Sequence, residues 1–128
     1  MVKKNPSQDS WRMPGGNTHG VPEEEEVLIS LVRSKGGKTK TIPVWFTVSG
    51  GKLELLPMYG LKTKWFADVE KTGNIGLKVK DWKKTSKPKI LRDPKAIDDI
   101  KRRFSVKYGL NQVKRYYPAS DVALEISV

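Results

Sequence analysis

The chain has 128 residues, of which 37% are hydrophobic, enough for one domain around one modest core. Lys and Arg number 25 against 14 Asp and Glu, a net charge of +11, so the surface attracts polyanions such as nucleic acid, anionic lipid or a phosphorylated small molecule. The absence of cysteine excludes a disulfide framework, a thiolate metal site and a cysteine nucleophile, and it fits a reducing compartment.

Met1 to Pro22 reads as an irregular arm, because Pro6, Pro14, Gly15, Gly16, Gly20 and Pro22 interrupt it too often for a regular element. Trp11 and Met13 are its large apolar anchors. The run Glu23 to Glu26 closes the arm as a solvated charge patch, and the expected division is an arm over 1–26 and a folded domain over 27–128. The arm carries no hydrophobic region of the kind a signal peptide needs. No stretch approaches the roughly 20 apolar residues of a membrane span, so the expectation is a cytoplasmic protein.

Val27 to Val32 is a continuous apolar run of strand length. A glycine-containing turn follows over Arg33 to Thr39. Thr41 to Val48 is rich in β-branched and aromatic residues, with Pro43 marking a strand end or bulge. Gly50-Gly51 signals a hairpin, and Lys52 to Leu56 returns as the third strand. A helix is expected over Thr63 to Thr72, with Trp65, Phe66 and Val69 on one side and Gly73 as its stop. Asn74 to Lys80 alternates as a strand. Trp82 to Ser86 reads as a loop, and Pro88 to Leu91 as a short strand. Asp93 caps a second helix with Pro94 at its first position; Ile97, Ile100, Phe104 and Tyr108 form its stripe, and Gly109 ends it. Val122, Leu124, Ile126 and Val128 alternate with smaller or polar residues in a last strand that should pair inside a sheet. Six strands and two helices in the order β-β-β-α-β-β-α-β argue for a small, closed antiparallel barrel, mainly β, and against a doubly wound parallel sheet.

No conventional catalytic constellation is visible. His19 is the only histidine and cannot build a multi-histidine metal site, and no P-loop or dinucleotide fingerprint exists. An enzymatic function would therefore need a bound cofactor to carry the hard chemistry, and no catalytic residue is assigned. Two basic segments stand out. One is Arg33-Ser-Lys-Gly-Gly-Lys-Thr-Lys-Thr41, running into Ile42-Pro-Val-Trp-Phe46; the other is Gly60-Leu-Lys-Thr-Lys-Trp65 at the mouth of the first helix. Side by side at a barrel end they would offer ammonium groups, hydroxyls and helix amides to one phosphate, with Trp45, Phe46 and Trp65 near enough to wall a planar ring. The alternative is ordinary strand residues and solvent-facing lysines.

The pattern Arg-Ser-x-Gly-Gly-Lys-x-x-x-x-Pro-Val-Trp-Phe, a Gly-Gly hairpin, then Gly-x-Lys-Thr-x-Trp resembles the split-barrel nitroreductases and their deazaflavin-dependent relatives, over about Val27 to Val79. The chain departs from them in splitting the usual Ser-Gly pair with Lys35, and in reading Trp65-Phe-Ala-Asp68-Val69 where the family helix continues Trp-x-x-Asn-Leu. The resemblance implies a six-stranded split β-barrel binding FMN or a deazaflavin. It implies that Lys38, Lys40, Thr41, Lys62, Thr63 and Lys64 hold the phosphate, that Trp45 and Trp65 line the ring site, and that Tyr108 and Tyr116 face a small-molecule substrate. It also implies a homodimer with cofactor near the subunit interface, and hydride transfer to a quinone-like or nitroaromatic acceptor. Two other readings stand beside it. One is a basic nucleic-acid-binding barrel, with Lys78, Lys80, Lys83, Lys84, Lys87 and Lys89 on phosphates and Trp82 stacked on a base, its binding expected to be weak and non-specific. The other is a flavin carrier without turnover.

Overall fold

The computed structural model describes residues 20–32, 39–118 and 121–128. Most of the N-terminal arm, with Trp11, Met13 and His19, and the glycine turn with Lys38 lie outside them. Glu26 already opens the first strand, β1 (Glu26–Val32), and Val21 upstream is buried in the main core. Glu24 pairs with Lys80 at 3.0 Å.

β1 lies between β2 (Thr39–Trp45) and β5 (Ile75–Val79), and β6 (Trp82–Ser86) completes one antiparallel sheet of order β2-β1-β5-β6. The second sheet has the order β3-β4-β8-β7, from β3 (Thr47–Ser49), β4 (Lys52–Leu55), β7 (Lys89–Leu91) and β8 (Ala123–Ser127). The last strand thus pairs on both sides, with β4 and β7.

The expected closed barrel of six strands and two helices is corrected, among the described residues, to two four-stranded sheets with three α-helices. Two edge strands pass from one sheet to the other, and each breaks its ladder on the way. Between β2 and β3 the backbone of Phe46 is taken by the Tyr108 hydroxyl, which accepts from its N–H at 3.0 Å and lies 2.9 Å from its carbonyl oxygen. Between β6 and β7 the chain crosses Lys87 and Pro88, and proline has no N–H to give. The Trp82 to Ser86 segment pairs with β5 over its whole length, so it is a strand and not the expected loop.

Gly50 and Gly51, at φ 56° and 78°, form the tight turn that joins β3 to β4. Helix α1 (Lys64–Thr72) starts after Thr63 and stops at Gly73, whose left-handed φ of 75° lets its N–H return to the Val69 carbonyl. Helix α2 (Pro94–Tyr108) is capped by the Asp93 carboxylate, which accepts from Ala96 N at 3.1 Å. A third helix, α3 (Leu110–Tyr116), was not expected; Gly109 at φ 100° turns the chain into it.

The main core takes side chains from both sheets and α1, including Ile29, Leu53, Phe66, Leu77 and Ile126. A second cluster lies under α2 and α3, where Leu56, Ile97, Ile100, Phe104, Val113, Tyr117 and Ala123 meet. Glu54, only 2% exposed, ties that layer to β4: Arg103 of α2 donates to both of its oxygens, and Thr47 Oγ1 donates to it at 2.7 Å. A buried carboxylate is tolerated there because all these bonds reach its charged form.

Candidate functional site

Three parts of the chain meet around an open cleft of about 840 Å³. β2 supplies Lys40, Ile42, Val44 and Trp45. The segment from Met58 to Trp65 supplies the second wall, and the end of α2 with α3 and Tyr117 supplies the third.

Of the ten candidate side chains, eight line this cleft: Lys40, Trp45, Lys62, Thr63, Lys64, Trp65, Tyr108 and Tyr116. Lys38 lies outside the described residues. Thr41 is not on the lining. Its hydroxyl sits 3.4 Å from Ser30 Oγ on the neighbouring strand. Along β2, Lys40 and Trp45 are five residues of extended chain apart, roughly 17 Å.

The second wall is built by a local device. Gly60 at φ 61° opens a 3₁₀ turn over Gly60–Lys62, and Leu61 N donates to Asp121 Oδ1 at 3.3 Å. Thr63 is buried, and its Oγ1 accepts from Tyr59 N at 2.8 Å, so one lone pair of the hydroxyl closes this turn. The first i→i−4 bond of α1 is Ala67 N to Thr63 O, at 3.3 Å. The amides of Lys64, Trp65 and Phe66 precede it, in the position where helix starts bind anions.

The third wall is aromatic. Tyr108 stacks on Trp45 with centroids 4.1 Å apart and planes 8° apart. Tyr116 meets Trp45 edge-on at 5.8 Å, and Tyr117 packs tilted against it at 5.8 Å. The Tyr108 hydroxyl also donates toward Glu25 O, at 2.6 Å, so it is occupied by backbone and presents its ring to neighbours rather than its polar end. Burial raises its pKa further, and burial pushes that of Tyr117 up to about 12. Both are neutral phenols at physiological pH.

Lys107 lines the same cleft, and the sequence reading missed it. Its Nζ donates to Phe46 O at 2.9 Å and lies 3.7 Å from the centroid of the Phe46 ring. Burial lowers its pKa to about 8, partly offset by the carboxylates of Glu23, Glu25 and Glu24. A signal was available: Lys107 follows Ile97, Ile100 and Phe104 at helical spacing, so it falls on the buried stripe of α2. Tyr117 was passed over beside Tyr116, although it is the buried member of the pair.

The surface lysines of β5 and β6 form a separate group. Lys78 and Lys83 face each other across the two strands, exposed. Trp82, proposed to stack on a base, instead packs against the main core.

No protein-family model matches the chain, and no curated protein matches its sequence. Solved structures share its fold. A structure described as an F420-H2 dependent reductase superposes with a TM-score of 0.65 at 13% identity, covering 84% of this chain and 97% of that one. A FAD-binding protein from Mesorhizobium loti gives a TM-score of 0.54 at 13% identity, covering 82% and 81%. A structure described as a domain-swapped dimer gives 0.65 at 16% identity, covering 88% of each chain. No helix among the described residues is long and apolar enough to cross a membrane.

Proposed function

We propose that this chain binds a flavin or deazaflavin in the cleft between β2, α1 and the end of α2, and that it acts as an oxidoreductase. The observation that carries the reading is the convergence of Lys40, Lys62 and Lys64 with Trp45, Trp65 and Tyr116 around one cavity, from segments far apart in sequence. Its volume of about 840 Å³ falls in the usual range for small-molecule sites, about 300–1,000 Å³. The chemistry of the lining fits such a group: cations and helix amides suit a phosphate, and flat apolar side chains suit a ring.

In this reading Lys40, Lys62 and Lys64 hold the phosphate with the first amides of α1, while Thr63 fixes the turn that presents them. Lys38, outside the described residues, and Thr41, on the edge strand β2, belong to the same proposed set. Trp45 and Trp65 wall the ring, and the stacked Tyr108 holds the Trp45 indole in place. Tyr116, more exposed than its neighbour Tyr117, is the side chain offered to a substrate. The bound group supplies hydride chemistry, and the acceptor is a quinone-like or nitroaromatic molecule. The protein contributes position, exclusion of water and electrostatics. The dimer described for one solved neighbour supports a homodimer for this chain; the cleft near the subunit boundary is part of the proposal.

Titration with FMN and with a deazaflavin, followed by quenching of tryptophan fluorescence, tests the binding. Oxidation of the bound, reduced cofactor by menadione or a nitroaromatic then separates an enzyme from a carrier without turnover. A parent protein that binds neither cofactor overturns the reading. The nucleic-acid reading is weaker, because Trp82 is partly buried against the core; it leaves mainly salt-sensitive attraction to the lysines.

A further inference from the structure

A charge held by the backbone inside an aromatic cleft has a different use from one on a flexible surface stem. Lys107 is such a charge. Phe46 O fixes one of its three N–H donors at 2.9 Å, and the ammonium sits over the Phe46 ring, 5.1 Å from the centroid of Tyr108. Tyr108 in turn stacks on Trp45, so Lys107 belongs to the aromatic end of the cleft. Lys62 and Lys64, by contrast, stand exposed at the mouth of α1.

The groups around it are defined. Glu23, Glu24 and Glu25 face it from the segment before β1, and Glu26 shares the cleft lining. On its own helix Arg103, one turn back, is bound to Glu54, and the neighbouring Tyr108 is a neutral phenol. Burial outweighs the carboxylates and brings Lys107 into the range where it titrates near pH 8. The cleft therefore carries a fixed, titratable cation beside its flat side chains.

Resting on the function proposed above, we infer that Lys107 holds the negative charge of the reduced ring and so favours the reduced over the oxidised cofactor in this cleft. Hydride addition gives the oxidised ring two electrons and one proton, leaving one negative charge until a second proton arrives. A held ammonium stabilises that form and gains nothing from the neutral oxidised ring, so it raises the ring's reduction potential.

The test compares affinities for FMN and for FMN reduced anaerobically with dithionite, whose ratio cancels the common contribution of the phosphate. Parent, Lys107→Gln and Lys107→Arg are measured at pH 7 and pH 9, with thermal unfolding of each unliganded protein as a folding control. At pH 7, Lys107→Gln should lower the preference for the reduced form about tenfold, equal to about 30 mV in the two-electron potential, and Lys107→Arg should keep it. Between pH 7 and pH 9 the parent should lose part of its preference as Lys107 deprotonates, relative to Lys107→Arg, which keeps its charge. The parent's own pH profile carries the test if the glutamine variant fails to fold. An unchanged ratio in Lys107→Gln, or a parent that follows Lys107→Arg across this pH range, overturns the inference. A parent that binds neither FMN nor a deazaflavin overturns the proposed function and the inference with it.

Discussion

The hydroxyl of Tyr108 satisfies the backbone of Phe46, a residue 62 positions earlier, at the point where the chain leaves one sheet for the other. The N–H of Phe46 is 3.0 Å from this oxygen, in the place of a strand partner. A side chain from α2 thus permits the bend between β2 and β3, and the same ring braces Trp45 in the cleft.

Tyr108→Phe should keep the stacking and lose the hydroxyl. Leaving the Phe46 N–H without this partner in a half-buried site costs about 1–3 kcal/mol. Urea denaturation should show that loss, with an unchanged m-value. A loss below about 0.5 kcal/mol, the usual scatter of surface substitutions, would mean water replaces the hydroxyl freely.

Arg103→Ala should be far more damaging than Arg102→Ala. The first removes the bidentate partner of a carboxylate that is 2% exposed, whereas Arg102 pairs with Asp99 on the surface. Breaking a buried pair costs about 3–5 kcal/mol; because Arg103 is itself partly exposed, the lower end is expected. For Arg102→Ala the loss should stay below about 1 kcal/mol. Equal effects in chemical denaturation would show that Glu54 finds other compensation.

Gly60→Ala should disturb the second wall of the cleft. A Cβ there would come within 2.0 Å of Asp121 Oδ1, and φ of 61° is poorly tolerated by alanine. The expected loss is at least about 1 kcal/mol, with weaker FMN binding, because the turn carries Lys62 and leads into Lys64. Adding Asp121→Gly should relieve the clash but not the φ strain, so stability should recover in part. Full recovery would show that the left-handed conformation costs little.

Lys40→Ala combined with Lys62→Ala should weaken FMN or deazaflavin binding at least about a hundredfold. Charge-assisted bonds are worth about 1.5–3 kcal/mol each where water is excluded. Both lysines are exposed in the free protein, so Tm should hardly change. Unchanged affinity would place the phosphate elsewhere.

Stability should rise with pH between about 8 and 9.5 through Lys107. Its pKa is lowered to about 8 in the fold, so in this window the unfolded chain binds more protons than the native one, and alkali favours the native state. Tyr108 and Tyr117 act oppositely, since their raised values make the unfolded chain release protons first, but only as pH passes about 10. Lys107→Met should flatten the rise when Tm is followed against pH in parallel with the parent. An identical slope in both proteins would assign it to other groups.

Local signals made much of this fold legible. Asp93-Pro94 and Gly109 bound α2, Thr63 and Gly73 bound α1, and Gly50-Gly51 sits in its hairpin, because caps and turns are set by a few adjacent residues. β6 was hidden by its composition: after Trp82 it reads Lys-Lys-Thr-Ser, and pairing with β5 supplies the order that propensity does not. α3 has no side-chain cap and only seven residues. At one of the two crossings between the sheets the backbone is satisfied by Tyr108 reaching Phe46, a tertiary bond with no local trace. Two of the three walls of the cleft were legible because Lys40, Trp45, Lys62, Lys64 and Trp65 lie in two short segments. Lys107 and Tyr117 required knowing which side of α2 and α3 is covered.

Two apolar clusters, and not one, separate the walls of this cleft. Trp65 belongs to the cluster shared by both sheets, whereas Tyr117 and the packed face of Tyr108 belong to the cluster beneath α2 and α3. Regions with separate cores open with separate free energies. Amide hydrogens of α2 and α3 should therefore exchange with solvent through a local opening that leaves β8 and β4 protected. A molecule held against both walls would have to be released for that opening to occur, so occupancy should slow exchange in the helices first.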